Sequence, residues 1–96
     1  MKESEIENRC MLYANTKGVT QYKFVSPNTR GVPDRVLFYK GQTLFIEFKK
    51  RGEVPTRQQE LQIRKLRAAR MHVAVVDNII DGEKVIDSFV YNTDKV

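Results

Sequence analysis

The sequence contains few of the residues from which disulfides, zinc sites and membrane spans are built. Its 96 residues include one cysteine, Cys10, and one histidine, His72. A single cysteine excludes an internal disulfide and a cysteine-rich zinc site, and His72 lacks a sequence partner for metal binding or general-base work. No apolar run approaches the roughly 18 residues of a membrane span, and the acidic N-terminus is unlike a signal peptide. We therefore expect a cytoplasmic protein that is stabilised by its core alone.

The composition is that of an ordinary globular protein. Hydrophobic residues make up 41% of the chain and charged residues 30%, which favours a folded chain over a disordered one. The length fits one small domain, so we expect residues 1–96 to form a single domain with a compact core. Cys10 lies among the apolar positions of a predicted helix and is expected in that core.

Positive charge is concentrated in one segment. The chain has 17 Lys and Arg against 12 Asp and Glu, a formal charge of +5 and a pI near 9.5. Between residues 49 and 70 there are eight basic and two acidic residues, so this segment carries the whole surplus. Such clustering is typical of a surface that contacts phosphate, although a solvated helix face would show the same pattern.

Hydrophobic periodicity and capping residues predict the order α-β-β-β-α-β and then a further helix. A capping box of Ser4 and Glu7 opens the first helix, which Gly18 ends. A second capping box, of Thr56 and Gln59, opens a helix that runs to about residue 70. The predicted strands and the closing helix, for which a strand is the alternative, cover residues 22–25, 36–39, 43–48, 73–76 and 81–90. This order indicates an α/β fold.

Two charges lie inside the strand predicted over residues 44–49. Apolar residues occupy both of its faces, as in a central strand that is buried on both sides. Glu47 and Lys49 are two residues apart, so their side chains point to the same face. Burial of a carboxylate and an ammonium is costly unless they pair with each other or bind something.

The turn at Lys40-Gly41 brings a third charge to that face. In a hairpin closed there, Asp34 lies opposite Glu47. Two carboxylates this close repel each other, which favours a cation between them, and oxygen ligands of this kind suit Mg²⁺ or Mn²⁺. The alternatives are a buried Glu47–Lys49 ion pair with Asp34 capping the loop, and a one-residue register slip that turns Asp34 away.

Gln58 is a fourth candidate for the site. It is in phase with Leu61 and roughly in phase with Leu66 and Ala69, so these four side chains are expected to face inward from the second helix. A buried amide needs hydrogen-bond partners. Both a contact in the site and a local bond at the helix start would satisfy it.

Three short strings carry a resemblance to a known family. They are GVPD at residues 31–34, FIEFK at 45–49 and PTRQ at 55–58. Their order and spacing within the α-β-β-β-α-β pattern resemble the PD-(D/E)xK nuclease superfamily and, within it, the VRR-NUC family of small phage and repair nucleases. The resemblance covers about residues 3–77. It implies a restriction-endonuclease-like core, with a mixed central sheet flanked by helices and a C-terminal helix.

The resemblance also implies roles for single residues. Asp34 and Glu47 would ligate Mg²⁺, with Mn²⁺ as a substitute, and the backbone carbonyl of Phe48 would complete the protein ligands. Lys49 would orient or activate the attacking water and steady the charge on phosphorus. Gln58 would position Lys49 or the substrate.

The family places one more glutamate on the first helix. Glu7 is the first choice, because its distance to Gly18 looks like that in archaeal Holliday-junction resolvases; Glu3, one turn earlier on the same face, is the alternative. The capping box with Ser4 explains Glu7 equally well. The chain departs from the family at Arg70, where a glycine often ends the second helix, and arginine adopts the left-handed cap conformation only at a cost.

The implied activity is Mg²⁺-dependent hydrolysis of phosphodiester bonds by a structure-selective DNA endonuclease. By analogy with resolvases, a homodimer would cut four-way (Holliday) junctions or other branched DNA, in DNA repair or in a phage-infected bacterial cell. The side chains expected on the phosphate backbone are Arg30, Lys50, Arg51, Arg57, Arg64 and Arg67. Few exposed aromatic residues are expected, which favours duplex over stacked single strands. The alternatives are an inactive nucleic-acid-binding module of the same fold and an interaction protein that docks through its basic helix.

Overall fold

Four strands form one sheet in the computed structural model, which describes residues 1–95. The elements are α1 (Glu3–Thr16), β1 (Thr20–Lys23), β2 (Arg35–Tyr39), β3 (Gln42–Phe48), α2 (Arg57–Ala68), β4 (His72–Val76) and α3 (Ile79–Asp94). The strand order is β1-β2-β3-β4; the first two pairings are antiparallel and β3 pairs with β4 in parallel. The predicted α/β fold, with its mixed sheet, flanking helices and C-terminal helix, is confirmed.

The hairpin between β2 and β3 determines the register around the predicted site. Both turn residues of Lys40-Gly41 are left-handed, with φ of 45° and 84°, as a two-residue turn that follows the twist of the strands requires. The pairing runs from the turn to Arg35 opposite Ile46, which is the predicted register. One position further from the turn, Asp34 lies opposite Glu47.

The face of the sheet that carries Leu37, Ile46 and Phe48, called the inner face here, packs against α1 and α3. All three side chains are fully buried. The helices add the rest of one continuous core: Ile6, Cys10, Met11, Ala14 and Ile86. Cys10 is a core residue, as predicted, and burial raises the pKa of its thiol to about 11, which keeps it protonated and unreactive.

The opposite face, called the outer face, is only half covered by a helix. α2 packs against β4: Ile63 is buried there, and the Arg67 guanidinium donates a 2.8 Å hydrogen bond to the Val73 carbonyl. Over β1 and β2 the outer face is open, since Tyr22 and Phe38 are 60% and 41% exposed. The expectation of few exposed aromatic side chains is therefore wrong on this part of the sheet.

The helix ends agree with the sequence only in part. The Thr56–Gln59 capping box is confirmed, since each backbone amide donates to the other side chain, at 2.9 and 3.2 Å. On α1 the predicted N-cap Ser4 is wrong. The N-cap is Lys2, so the helix begins two residues earlier, and the Lys2 amide donates to Glu5, which leaves Glu7 free for contacts with the sheet. No helix of residues 1–95 is long and apolar enough to span a membrane.

The inward face of α2 also differs from the prediction. Ile63 is buried, whereas Leu61 is 49% exposed and Gln58 and Ala69 are exposed. The helix packs on the sheet mainly along β4, so one narrow stripe of apolar side chains is enough to pack it. The spacing of Gln58, Leu61, Leu66 and Ala69 cannot locate so narrow an apolar stripe when polar side chains outnumber apolar ones on the helix.

Arg70 adopts the conformation that the sequence made costly. Its φ is 65°, and the bonds Arg70 N–H to Arg67 O and Met71 N–H to Leu66 O, each 2.9 Å, close the C-terminus of α2. This is the Schellman arrangement, in which glycine is the usual left-handed residue. The chain thus forms the family's helix end with a strained residue in place of glycine.

We expect Arg70→Gly to stabilise the protein by about 0.5–1 kcal/mol, because relief of left-handed strain exceeds the extra flexibility of unfolded glycine. The measurement is the urea midpoint at unchanged m-value. Arg70→Ala is the matched control, since it removes the charge but keeps the strained Cβ. Equal stabilisation by both variants would assign the effect to charge and contradict the explanation.

The crossing of α1 and α3 depends on one small residue, Gly82, which is buried against Cys10. A Cβ at this position would collide with the Cys10 sulfur and lie 3.1 Å from Val76 Cγ1. We expect Gly82→Ala to destabilise the protein by about 1–3 kcal/mol through overpacking. Combined with Cys10→Ala, it should cost at least about 1 kcal/mol less than the sum of the single variants. Strictly additive unfolding energies would contradict the close contact.

Candidate active site

Three carboxylates converge at one end of the sheet. Glu3, Asp34 and Glu47 each offer an oxygen, and these oxygens lie within 4.8 Å of one another. Asp34 lies just before β2 and Glu47 near the end of β3, so the hairpin register brings them together; Glu3 comes from the first turn of α1. Like charges held this close repel, and hard oxygen donors suit a divalent cation such as Mg²⁺.

Glu47 is the most constrained member of this acidic cluster (Glu3, Asp34 and Glu47). It is 2% exposed, and within residues 1–95 its Oε1 is the one buried side-chain oxygen or nitrogen without a hydrogen-bond partner. Burial, and then the charge of Asp34, raise the pKa of Glu47 to about 7, against the attraction of Lys49. The Lys49 ammonium lies 3.9 Å from Glu47 Oε2. An ion pair with Lys49 therefore accounts for one oxygen of Glu47 and leaves the other open to a ligand.

Asp34 is held in place by the neighbouring strand. Its Oδ2 accepts a 2.8 Å hydrogen bond from the Phe48 amide, so the backbone of Phe48 lies at the site. Burial raises the pKa of Asp34, and this hydrogen bond opposes the rise only in part. The pKa values of Asp34 and Glu47 are thus both raised, as expected for neighbouring buried carboxyl groups that a cation could neutralise.

The loop that carries Asp34 is anchored to α2 through Gly31. This glycine has a φ of 86°, and a Cβ there would lie 2.7 Å from the backbone carbon of Gln58. Only glycine permits so close an approach in that conformation. The helix start therefore supports the loop through the Gln58 backbone. The Gln58 side chain is exposed, so the expectation that it faces inward is wrong.

Glu7 lies one turn from Glu3 but has its own partners. Its carboxylate accepts hydrogen bonds from Arg35 at 2.5 Å and Lys23 at 3.0 Å. Burial alone would raise the pKa of Glu7, but the bonds from Arg35 and Lys23 hold it below its ordinary value. The structure thus brings Glu3, not Glu7, to Asp34 and Glu47. The sequence signal for these partners of Glu7 was the alternation of side chains along β1 and β2, which places Arg35 and Lys23 on the inner face under α1.

The predicted basic side chains lie in the loop before β2, in the loop after β3 and on α2. Lys50 and Arg51 follow β3 directly, and Arg57 and Arg64 lie on α2; all four are exposed. Arg30, in the loop before Asp34, is exposed as well. Arg67 differs, because its guanidinium also holds α2 on β4. His72 opens β4, next to residues 42 and 44 at the opposite end of the sheet.

Known proteins of similar sequence and fold are nucleases or nuclease domains by description. "Putative nuclease p44" of Acyrthosiphon pisum secondary endosymbiont phage 1 is 39% identical over 79 residues, which span 81% of this chain and 85% of the relative. A solved "VRR_NUC domain" shares 21% identity at a TM-score of 0.82, covering 88% of this chain and 94% of its own. A "VRR_NUC domain protein" shares 20% at a TM-score of 0.69, covering 95% and 89%. No protein-family model matches the chain.

The fold and the phage relative together define the chain as a nuclease. It belongs to the VRR-NUC family, as the three sequence strings predicted. The structural likenesses, at about one residue in five identical, establish the VRR_NUC fold, and the sequence relative, a putative nuclease, establishes the relationship to nucleases.

We expect Glu7→Gln to destabilise the protein by about 2 kcal/mol at pH 7, because Arg35 would lose its charged partner in a partly buried setting. The folded pKa of Glu7 lies below its ordinary value of 4.5. Its contribution is thus complete above pH 4.5 and is lost as the pH falls through the folded pKa. Urea unfolding should show wild type and variant converging towards pH 3. Glu60→Gln, in an exposed pair with Arg64, is the control with little effect, and a loss independent of pH would refute this account.

Proposed function

We propose that the protein is a Mg²⁺-dependent, structure-selective DNA endonuclease that hydrolyses phosphodiester bonds at the acidic cluster. The observation that carries the proposal is the buried, unpartnered Oε1 of Glu47, which lies with Asp34 and Glu3 beside the Lys49 ammonium. One ammonium against three carboxylates leaves excess negative charge in a partly buried site. A divalent cation would neutralise it.

The donor set fits Mg²⁺, with Mn²⁺ as a substitute. Asp34, Glu47 and Glu3 would supply carboxylate oxygens and Phe48 its backbone carbonyl, which are the hard donors that such ions take. When bound, the ion supplies polarisation of the scissile phosphate and a lowered pKa of its bound water. Glu3 takes the place first expected of Glu7, which we propose to be a positioning residue that holds α1 through Arg35.

Lys49 and Gln58 have different parts in this proposal. Lys49 is 10% exposed at its side chain and fixed by β3, so its ammonium is directed at the place where negative charge develops on the phosphate. It orients the attacking water from the same position. Gln58 is exposed at the start of α2, and we assign it a contact with the substrate, not with Lys49.

The basic side chains would hold the nucleic acid by its phosphates. Arg30, Lys50, Arg51, Arg57 and Arg64 are exposed around the site, and Arg67 adds charge beside β4. Phosphate contacts of this kind set position without reading bases, which suits an enzyme that selects DNA shape. By analogy with resolvases, a homodimer would place two sites about a two-fold axis and cut four-way junctions or other branched DNA. We place this action in DNA repair or in the cytoplasm of a phage-infected bacterium; the origin of the relative in a phage supports the second setting.

The test is cleavage of duplex, flap and four-way-junction DNA, and of the matching RNA, in Mg²⁺ or Mn²⁺. Asp34→Ala and Lys49→Ala should each lower the rate by about 10²–10³-fold, since each removes a group that stabilises developing charge. Glu3→Gln should also slow cleavage without loss of stability, whereas Glu7→Gln should act mainly through stability. Sedimentation of the protein alone reports whether it forms a dimer.

Lys84→Ala is the matched control for Lys49→Ala, because it removes one positive charge from an exposed position on α3. It should cut at the wild-type rate. If no substrate is cut in either metal while binding weakens normally with salt, the protein is a binding module of this fold. If Asp34→Ala and Lys49→Ala cut as fast as the wild type, the acidic cluster is not the active site.

A further inference from the structure

The open half of the outer face leads directly to the acidic cluster. The strand register places its side chains in rows that cross β1, β2 and β3. The row farthest from the cluster is Thr20, Phe38 and Thr43, and the next is Tyr22, Val36 and Phe45. In the row that contains Asp34 and Glu47, the Phe24 amide donates to the Asp34 carbonyl. This half of the face carries no charged side chain until the cluster is reached.

The aromatic side chains on this surface form two neighbouring pairs. Tyr22 and Phe38 have ring centroids 6.2 Å apart, and Phe24 and Phe45 5.4 Å apart. Phe45 precedes Glu47 by two residues on the same face, a separation of roughly 7 Å along the strand. Phe38 lies about twice as far from the row of Asp34. The rings thus lie on a path from the open sheet to the three carboxylates.

The charge distribution indicates what covers these rings. The net charge of +5 comes from the basic side chains between residues 49 and 70, which attract a polyanion to the chain. The rings extend from the open sheet to the carboxylates at which that polyanion would be cut. Exposed rings on a sheet face are the usual platform for bases that are free to unstack, and such stacking needs no particular base sequence. Paired bases keep their faces within the duplex and cannot use the platform.

We propose that Tyr22 and Phe38 stack on unpaired bases of the strand that enters the acidic cluster, with Phe24 and Phe45 continuing the platform towards it. This inference rests on the proposed nuclease function and adds its substrate class: DNA in which single-stranded nucleotides adjoin a duplex, such as a flap or splayed arm. Structure selectivity then comes from the chain's own surface. The basic side chains hold the duplex part by its phosphates, and the rings hold the unpaired part.

The experiment measures binding, not cleavage, in the full-length Asp34→Asn protein. The probes are a 12-nucleotide single strand, a flap carrying 2-aminopurine in its unpaired arm, and a blunt duplex. Tyr22→Ala and Phe38→Ala should each raise the Kd for the single strand and the flap about 10-fold, since a stacked base contributes about 1–3 kcal/mol. The Kd for the duplex should change less than about two-fold. With both rings present, 2-aminopurine fluorescence should be quenched on binding.

Tyr91→Ala is the matched control, because Tyr91 is 58% exposed on α3 and lies outside this face. Tyr22→Phe keeps the ring and should bind as well as the parent, and Tyr22→Leu tests the ring in a variant that keeps the apolar surface. Unchanged Kd values, or equal losses for duplex and single strand, would overturn the proposal. So would conversion of a dimer to a monomer by Tyr22→Ala in sedimentation, since the patch would then join two copies.

The outcome is independent of the cleavage test. If the wild-type protein cuts no DNA but Tyr22→Ala lowers the affinity for single strands, the platform is supported and the proposed enzymatic function is contradicted. If the wild-type protein cuts DNA but binds single strands equally well without the Tyr22 and Phe38 rings, the enzymatic function is supported and the platform is contradicted.

Discussion

Glu47 is a carboxylate buried in the middle of a sheet, and the arrangement of this end of the protein follows from that. An unpaired charge in such a place costs several kcal/mol, yet its Oε1 has no partner within residues 1–95. Lys49 faces the other oxygen from the same strand, while the Phe48 amide holds Asp34 in the position that increases the repulsion. Stability alone would not select this arrangement, which is why we propose that the site binds a cation.

Two glutamates at the start of α1, Glu3 and Glu7, have different surroundings. Glu7 is neutralised by Arg35 and Lys23, which tie the helix to β1 and β2. Glu3, one turn towards the N-terminus, extends past this ion pair to the acidic cluster. The ion pair therefore helps to fix the position of Glu3 relative to the sheet. A helix fixed by apolar contacts alone could slide or rotate, and the distance from Glu3 to Glu47 would change with it.

Local sequence patterns were sufficient to predict the strands and their register, but not which helix side chains face the sheet. The Lys40-Gly41 turn and the period of two place Asp34 beside Glu47, because hairpin pairing depends only on the turn and the alternation of side chains. The assignment of Glu3 against Glu7, and of Gln58 to solvent, depends on how each helix lies across the sheet. Such docking depends on partners distant in sequence. The distance to Gly18 therefore favoured Glu7 where the structure brings Glu3 to the acidic cluster, and helical phase misplaced Gln58.

The exposure of Tyr22 could not be predicted for a related reason. The sequence predicts only that residues 22–25 form a strand. Whether Tyr22 is covered depends on the position of α2, which packs on β4 and leaves Tyr22 exposed. Because a crossover helix between two neighbouring parallel strands packs over those strands, the β1–β2 side of the outer face is left for a ligand. The inner face carries nearly all the apolar packing. The alternation that buries Ile46 and Phe48 on the inner face thus leaves Glu47 and Lys49 on the outer face, where we propose that nucleic acid binds.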